Sequence, residues 1–335
     1  MQLGVRIPCY RRWCDAGAVR AIAQTAEDLG FDSLWVQDHL VLPTGGEAHL
    51  AEGVSGWMDG VAETGMTAHD YYGSDDWWLD PYAVWGFLAG ATRRVTLASD
   101  IVVIPYRDPI VQAKLLGTLD VLTGGRMLVG TGSGHVRGEF EALGLDYAAR
   151  GRMHDEHLRI IRALLTGEEV SFAGEFHRFG PVRPLLAPPR RHLPIFVGGN
   201  GRASIRRAAE LGDGWLPSMV TPDGLRAGLA ELDRQSERFG RAARPPVAVS
   251  LPSELRMPDG AAPPSRRPDT RPEDALDLIR QYARVGVAHL SLAFRVTSPD
   301  IYLRQIETFA REVLPGVPGR AAAVAAGSVS GPGPG

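Results

Sequence analysis

Residues 18–39 read AVRAIAQTAEDLGFDSLWVQDH. Val19, Ile22, Ala26 and Leu29 recur at helical spacing, and Gly30 follows where helices commonly stop. Residues 33–36 then form a short apolar run of strand length, closed at once by the polar Gln37, Asp38 and His39. A second such run, residues 3–7, precedes the helix. The pattern predicts strand, helix, strand, with polar groups gathered directly after a strand.

Further along the chain the same unit recurs. The spacing predicts strands at 95–99, 127–129, 195–197, 214–216, 247–251 and 289–292. Helices are expected at 81–90, 109–122, 152–165, 203–211, 225–239, 272–285 and 299–313. Eight strands, each followed by a helix, predict an α/β fold, a (β/α)8 TIM barrel of parallel strands joined by helical crossovers. Two additions interrupt the alternation. One is a long insertion after strand two, residues 41–79, and the other a small hairpin after strand four that turns at Ala173-Gly174. One domain is expected over residues 1–315. Residues 316–335, small residues and proline, read as a disordered tail.

Composition narrows the function. The 36 basic and 39 acidic residues leave a net charge of −3, so no excess of positive charge exists to hold nucleic acid. Lys114 is the only lysine among the basic residues, which suits an arginine-rich coding bias better than a special role. Cys9 and Cys14 are too few for a disulfide framework or a four-thiolate metal site. No stretch is long and apolar enough to span a membrane. A cytoplasmic protein acting on a small molecule is expected.

In such barrels the chemistry sits at the C-terminal strand ends. There the sequence places Asp38 and His39, then Ser99 and Asp100, then Gly132, Ser133, Gly134 and His135, then Gly198, Gly199 and Asn200. The glycines allow close approach of backbone to a ligand, though tight turns alone would also use them. The run Gly198-Gly199-Asn200-Gly201 precedes a helix whose first N–H groups suit a phosphate. A dinucleotide-binding reading of residues 130–134 fails, because Arg137 stands where the last glycine should be. His39 and His135 are candidate proton-transfer groups, since imidazole titrates near neutrality. His39, His49, His69 and Asp70 lack the spacing of a metal site, and no metal is expected.

The ordered set of motifs resembles the bacterial-luciferase-like flavin and deazaflavin oxidoreductases. It is carried by Ala26-Glu27-Asp28-Leu29-Gly30-Phe31-Asp32-Ser33-Leu34-Trp35, Asp38-His39, Asp80-Pro81 and Pro105-Tyr106-Arg107-Asp108-Pro109. It continues through Thr118-Leu119-Asp120-Val121-Leu122-Thr123-Gly124-Gly125-Arg126, Val129 to Gly134, Pro194-Ile195-Phe196-Val197-Gly198-Gly199-Asn200, Arg207-Ala208-Ala209 and Gly212-Asp213-Gly214-Trp215. The resemblance implies a flavin-type ring at the strand ends, with Asp38, Ser99 and Asp100 beside it. Gly132, Ser133 and Gly134 would lie along the ring or its polyol chain, and a phosphate near Gly198, Gly199 and Asn200. It also implies a non-prolyl cis peptide near Ser99-Asp100. Asp38-His39 and the 105–109 pattern look most similar to the branch using coenzyme F420.

Two positions depart from the family pattern. Members often have Asn where Asp108 stands, and many have an aromatic residue where His135 stands. The first expectation is an F420-dependent oxidoreductase moving hydride between the deazaflavin and a small organic substrate, with His39 or His135 handling the proton. The alternatives are an FMN-dependent two-component monooxygenase, fed by a partner flavin reductase, and a flavin-binding protein without catalysis. A homodimer is expected, as is common in the family. Trp57, Trp77 and Trp78 of the insertion are expected either to wall the substrate pocket or to pack as a structural flap. Arg107, Arg137, Arg202 and Arg206 are candidates for the acidic tail of F420.

Overall fold

The computed structural model describes residues 1–41, 77–186, 188, 192–251, 255–258, 269–294 and 296–320. Trp57, with most of the insertion, lies outside them. The chain runs β1 (Gln2–Arg6), α1 (Ala16–Asp28), β2 (Ser33–Val36), α2 (Pro81–Ala91), β3 (Thr96–Ser99), β4 (Val102–Val103) and α3 (Pro109–Leu122). It continues through β5 (Met127–Gly132), α4 (Arg137–Ala142), α5 (Arg150–Leu165), the hairpin β6 (Val170–Ala173) and β7 (Arg178–Val182), β8 (Ile195–Gly198) and α6 (Arg202–Leu211). It closes with β9 (Gly214–Leu216), α7 (Leu225–Arg238), β10 (Val247–Ser250), α8 (Pro272–Arg284), β11 (Val287–Leu292) and α9 (Pro299–Glu312).

Eight of these strands pair in parallel in the order β3-β2-β1-β11-β10-β9-β8-β5, and β3 pairs with β5 to close the ring. The eight-stranded α/β barrel expected from the sequence is therefore present. Short α4 and the two-residue β4 were not legible: six residues complete fewer than two helical turns and two residues a single strand period, too few for a repeat to show. Acidic caps fix the helix starts. Asp15 accepts from Ala18 N, Asp80 from Tyr82 N and Ala83 N, and Asp108 from Ile110 N and Val111 N. The unusual Asp108 thus satisfies the first turn of α3.

Alternation along the strands divides the core in two. One set of side chains, including Leu3, Val5, Leu34, Val36, Leu97 and Val129, packs outward against the helices. The other fills the barrel, with Trp35, Ala98, Phe196, Leu216 and Ala248 in one cluster. Trp35 claims so much of that interior that a Cβ on Gly4 would stand 2.1 Å from its Nε1. The packed chain runs past the expected tail boundary. Val317 is buried, and Arg320 bonds Gly30 O and pairs with Asp32 at the barrel base. No helix among the described residues is long and apolar enough to cross a membrane.

Candidate active site

A cavity of about 790 Å3 opens at the C-terminal ends of the barrel strands. It gathers Asp38, His39, Asp100, Gly132, Ser133, Gly134, His135, Gly198, Gly199 and Asn200, which the sequence had scattered over 160 positions. Ser99 does not reach it. Its hydroxyl is buried and donates to Gly130 O, so its part is to join β3 to β5. The Asp100–Ile101 peptide is cis, one bond beyond the expected place. Trp78 packs edge-on against His39, with ring centroids 4.5 Å apart, and so touches the site through that ring. Trp77 is 45% exposed and is not brought to the cavity.

At the β2–β5 side lie the titratable groups. His39 Nδ1 meets Glu139 Oε2 at 3.0 Å, and the Tyr106 hydroxyl donates to the same oxygen at 2.6 Å. Glu139 Oε1 accepts from Leu40 N at 2.7 Å. Burial alone would raise this carboxyl, but His39, Tyr106 and Leu40 outweigh it and hold Glu139 below its ordinary range. His135 stands perpendicular to His39, with centroids 5.6 Å apart. Burial, helped by the nearby His39, pushes the His135 imidazole down to about 4, so it is neutral at neutral pH. Glu139 escaped the sequence reading: a hundred positions separate it from His39, and its helix is too short to announce itself.

Asp38 faces inward for a different reason. Its carboxylate takes both guanidinium ends of Arg107, at 2.6 and 2.9 Å, and Val103 N at 2.9 Å. Arg107 also bridges to Asp80 at 2.7 Å. Burial pulls the Arg107 guanidinium down, but the two carboxylates push it up by more. Arg107 therefore ties the strand ends to α2 and is not available for a ligand's acidic tail. Arg206 is likewise engaged by Asp155 and Glu210. Arg137 stacks on Tyr147, and the exposed Arg202 lies 3.9 Å from Glu231. The arginines that do line the cavity are Arg6, Arg150 and Arg207.

The floor is a buried charged cluster. Arg6 donates to Asp100 Oδ2 at 2.8 and 3.1 Å, and Ser250 and Ser291 donate to the same oxygen at 2.9 and 2.7 Å. Asp100 Oδ1 is buried and accepts no hydrogen bond among the described residues. Buried polar atoms are ordinarily paired, so a ligand N–H suits this oxygen.

The β8 side is built of backbone. Gly201 caps α6 without a side-chain bond, which leaves the first N–H groups of that helix for an anion. Gly199 has φ +115°, a conformation that glycine alone adopts readily. A Cβ on Gly132 or Gly198 would come within 2.5 or 2.7 Å of Ile101, so both strand ends must stay bare where Ile101 lines the cavity. Asn200 bonds both ways to the backbone of Ser218, with Nδ2 to O at 2.7 Å and N to Oδ1 at 3.0 Å. Its side chain therefore clamps the loop after β9. Arg207 donates to Gly151 O and to Ser133 Oγ, and Ser133 Oγ lies 2.9 Å from the buried His154 Nδ1. Burial, and the charge of Arg207, hold His154 well below its ordinary pKa. His154 looked like one more position of an amphipathic helix in the sequence.

Comparison with known proteins agrees with this architecture. The profile of the luciferase-like monooxygenase family matches residues 14–262. An uncharacterised protein of Mycobacterium tuberculosis is 28% identical over 88% of this chain and 93% of its own. An FMNH2-dependent dimethylsulfone monooxygenase of Pseudomonas putida is 31% identical over 47% of this chain and 44% of its own length. An F420-dependent glucose-6-phosphate dehydrogenase of Amycolatopsis mediterranei is 26% identical over 58% of this chain and 51% of its own. The solved structure of an F420-dependent secondary alcohol dehydrogenase superposes with a TM-score of 0.74 at 19% identity, covering 94% of this chain and 98% of that one. With three quarters of its length matched by the family profile, the chain belongs to the luciferase-like monooxygenase family, whose members are oxidoreductases and monooxygenases using either F420 or FMN.

Proposed function

We propose that this protein is an F420-dependent oxidoreductase acting on a small organic substrate. The observation that carries the reading is the pairing of two unlike ends in one cavity: a carboxylate-held imidazole, His39, and a backbone anion site at the start of α6. The residues suit a phosphate-bearing planar cofactor. Asp100 Oδ1 offers an unused buried acceptor, and Ile101 with the bare glycines offers a flat apolar wall. The N–H groups at the start of α6, with Ser133 and Arg150, would hold the phosphate, and Arg207, itself paired with Asp155, would add positive charge beside it.

Bound F420 would supply a hydride donor or acceptor at its C5 carbon. The protein's own work is then positioning, exclusion of water and movement of one proton. When a substrate hydroxyl is oxidised, its proton passes to His39, and on carbonyl reduction His39 returns it. His135, neutral and desolvated, acts as a hydrogen-bonding partner that orients substrate. The family resemblance at Asp38-His39 favours F420. The P. putida relative supports the second reading, an FMN-dependent monooxygenase supplied by a reductase.

Fluorescence titration with F420 and FMN in parallel tests the choice. Micromolar or tighter F420 binding, with FMN at least about tenfold weaker (~1.4 kcal/mol), supports the proposal. The reverse preference, together with oxygen uptake on adding reduced FMN, would replace it with the monooxygenase. Tight binding without turnover of any alcohol, carbonyl or alkene tested would leave a binding protein.

A further inference from the structure

We infer that Glu139 is a positioning residue for proton transfer: it holds His39 as the Nδ1-protonated imidazole, so that Nε2 is the nitrogen that gains and loses the proton. The catalytic meaning of this rests on the functional reading above, but the tautomer itself does not.

Glu139 is fully buried, and its two oxygens have different duties. Oε1 receives the backbone N–H of Leu40 at 2.7 Å, with Val41 N further off at 3.4 Å. Oε2 receives the Tyr106 hydroxyl at 2.6 Å and faces His39 Nδ1 at 3.0 Å. A carboxylate has no proton to give, so the contact with Nδ1 is a hydrogen bond only when Nδ1 carries the hydrogen. The neutral ring must then leave Nε2 as the acceptor. Once Nε2 is protonated, the imidazolium faces an ionised partner that is already in place, and no rearrangement is needed to stabilise it. Orientation is fixed as well. Glu139 grips the backbone immediately after His39, and Trp78 and His135 pack edge-on against the ring. The titratable groups beside His39 include Glu139, Tyr106, His135 and the adjacent Asp38; the Asp38 carboxylate is engaged by Arg107 and Val103 N, whereas Glu139 is the carboxylate whose oxygen meets Nδ1.

The same geometry makes Glu139→Gln diagnostic. Two backbone N–H groups point at Oε1, so the amide oxygen must stay there and its NH2 must turn toward His39. An NH2 donor at Nδ1 demands the opposite tautomer, with the hydrogen on Nε2. In alcohol oxidation the C–H hydride goes to the cofactor and the O–H proton needs an acceptor, which an Nε2–H ring is not.

The first measurement is imidazole 15N NMR on the wild-type protein, with His39 assigned by comparison with His39→Asn. We expect Nδ1 to stay protonated through the titration and only Nε2 to titrate. In Glu139→Gln the neutral ring should switch to Nε2–H. The kcat should fall about 100-fold or more, with cofactor Kd and KM within about threefold and the lower limb of the kcat pH profile displaced. Glu139→Asp should recover at least tenfold of the loss. A wild-type His39 whose neutral form carries its hydrogen on Nε2 would overturn the inference, whether or not the variant folds. So would a Glu139→Gln protein of unchanged kcat, or one whose loss lies wholly in KM or cofactor Kd. Failure of wild type to bind F420 or FMN would instead defeat the functional reading and leave the tautomer result standing.

Discussion

Two buried histidines at opposite ends of the barrel show how partners decide the use of one side chain. At the base, His289 Nε2 meets the Ser33 hydroxyl at 2.7 Å, and Trp35 Nε1 donates to the same oxygen, also at 2.7 Å. Ser33 already accepts from Trp35, so it donates to His289, a chain that suits a neutral ring. Burial pushes His289 down to about 3, and the nearby positive N-terminus and Arg320 push in the same direction. At the mouth, His39 is also largely buried, but it faces Glu139. Both rings fill space, and the one beside a carboxylate can also carry a proton. The family barrel thus separates stability at its base from chemistry at its mouth, as is usual for the architecture.

This contrast breaks most readily at His39. His39→Asn keeps a donor toward Glu139 and removes Nε2. It should lower kcat by about 10^2–10^4-fold while the melting temperature stays within about 1 °C, less than about 1 kcal/mol for a chain of this size. His289→Ala should do the reverse, lowering the melting temperature through a cavity and an orphaned Ser33, at a cost of about 2 kcal/mol or more, with kcat intact in the folded protein. If His39→Asn melts early and stays active, or His289→Ala is stable and inactive, the division is wrong.

Arg107→Ala tests whether every charge at the mouth is functional. It strands the buried Asp38 carboxylate, and a loss of about 3–5 kcal/mol in stability is expected. A stable variant with weaker cofactor binding would instead make Arg107 a ligand contact.

Gly198→Ala tests the backbone half of the site. Its Cβ would stand 2.7 Å from Ile101 and 2.9 Å from Thr131 O, so the strand end must shift. Cofactor affinity should drop about tenfold, worth ~1.4 kcal/mol, by titration. An unchanged Kd would show that Ile101 yields and that the bare wall is dispensable.

A pH dependence of stability is shared by both ends. His135, His157 and His289 titrate in the folded protein at about 4, 4 and 3, below the unfolded value near 6.5. The unfolded chain therefore binds more protons in this interval, and stability present above pH 6.5 is lost as pH falls toward 4. A melting temperature lower by about 5 °C or more at pH 4.5 than at pH 7 is expected. A flat profile would mean that these rings are accessible to protons when folded.

The strand and helix alternation was legible because each element is amphipathic with a period that its neighbours do not share. Ser33–Val36, Pro109–Leu122 and Gly214–Leu216 coincide with the expected bounds, and the remaining expected elements move by one to three residues. The clustering of Asp38, His39, Gly132, Ser133, His135 and Gly198 was also foreseeable, since parallel strands of one barrel end on one face. What the sequence alone determined was thus the ring of strands, the face that carries the chemistry and the family. The tertiary structure alone decided which polar groups are free for a ligand. Arg107 and Asn200 read as binding residues, yet the first is spent on Asp38 and the second on Ser218. Glu139, unseen in the sequence, holds His39. Pairing depends on distances of a few ångströms between segments about a hundred residues apart, and a periodic pattern along one chain carries no record of those distances.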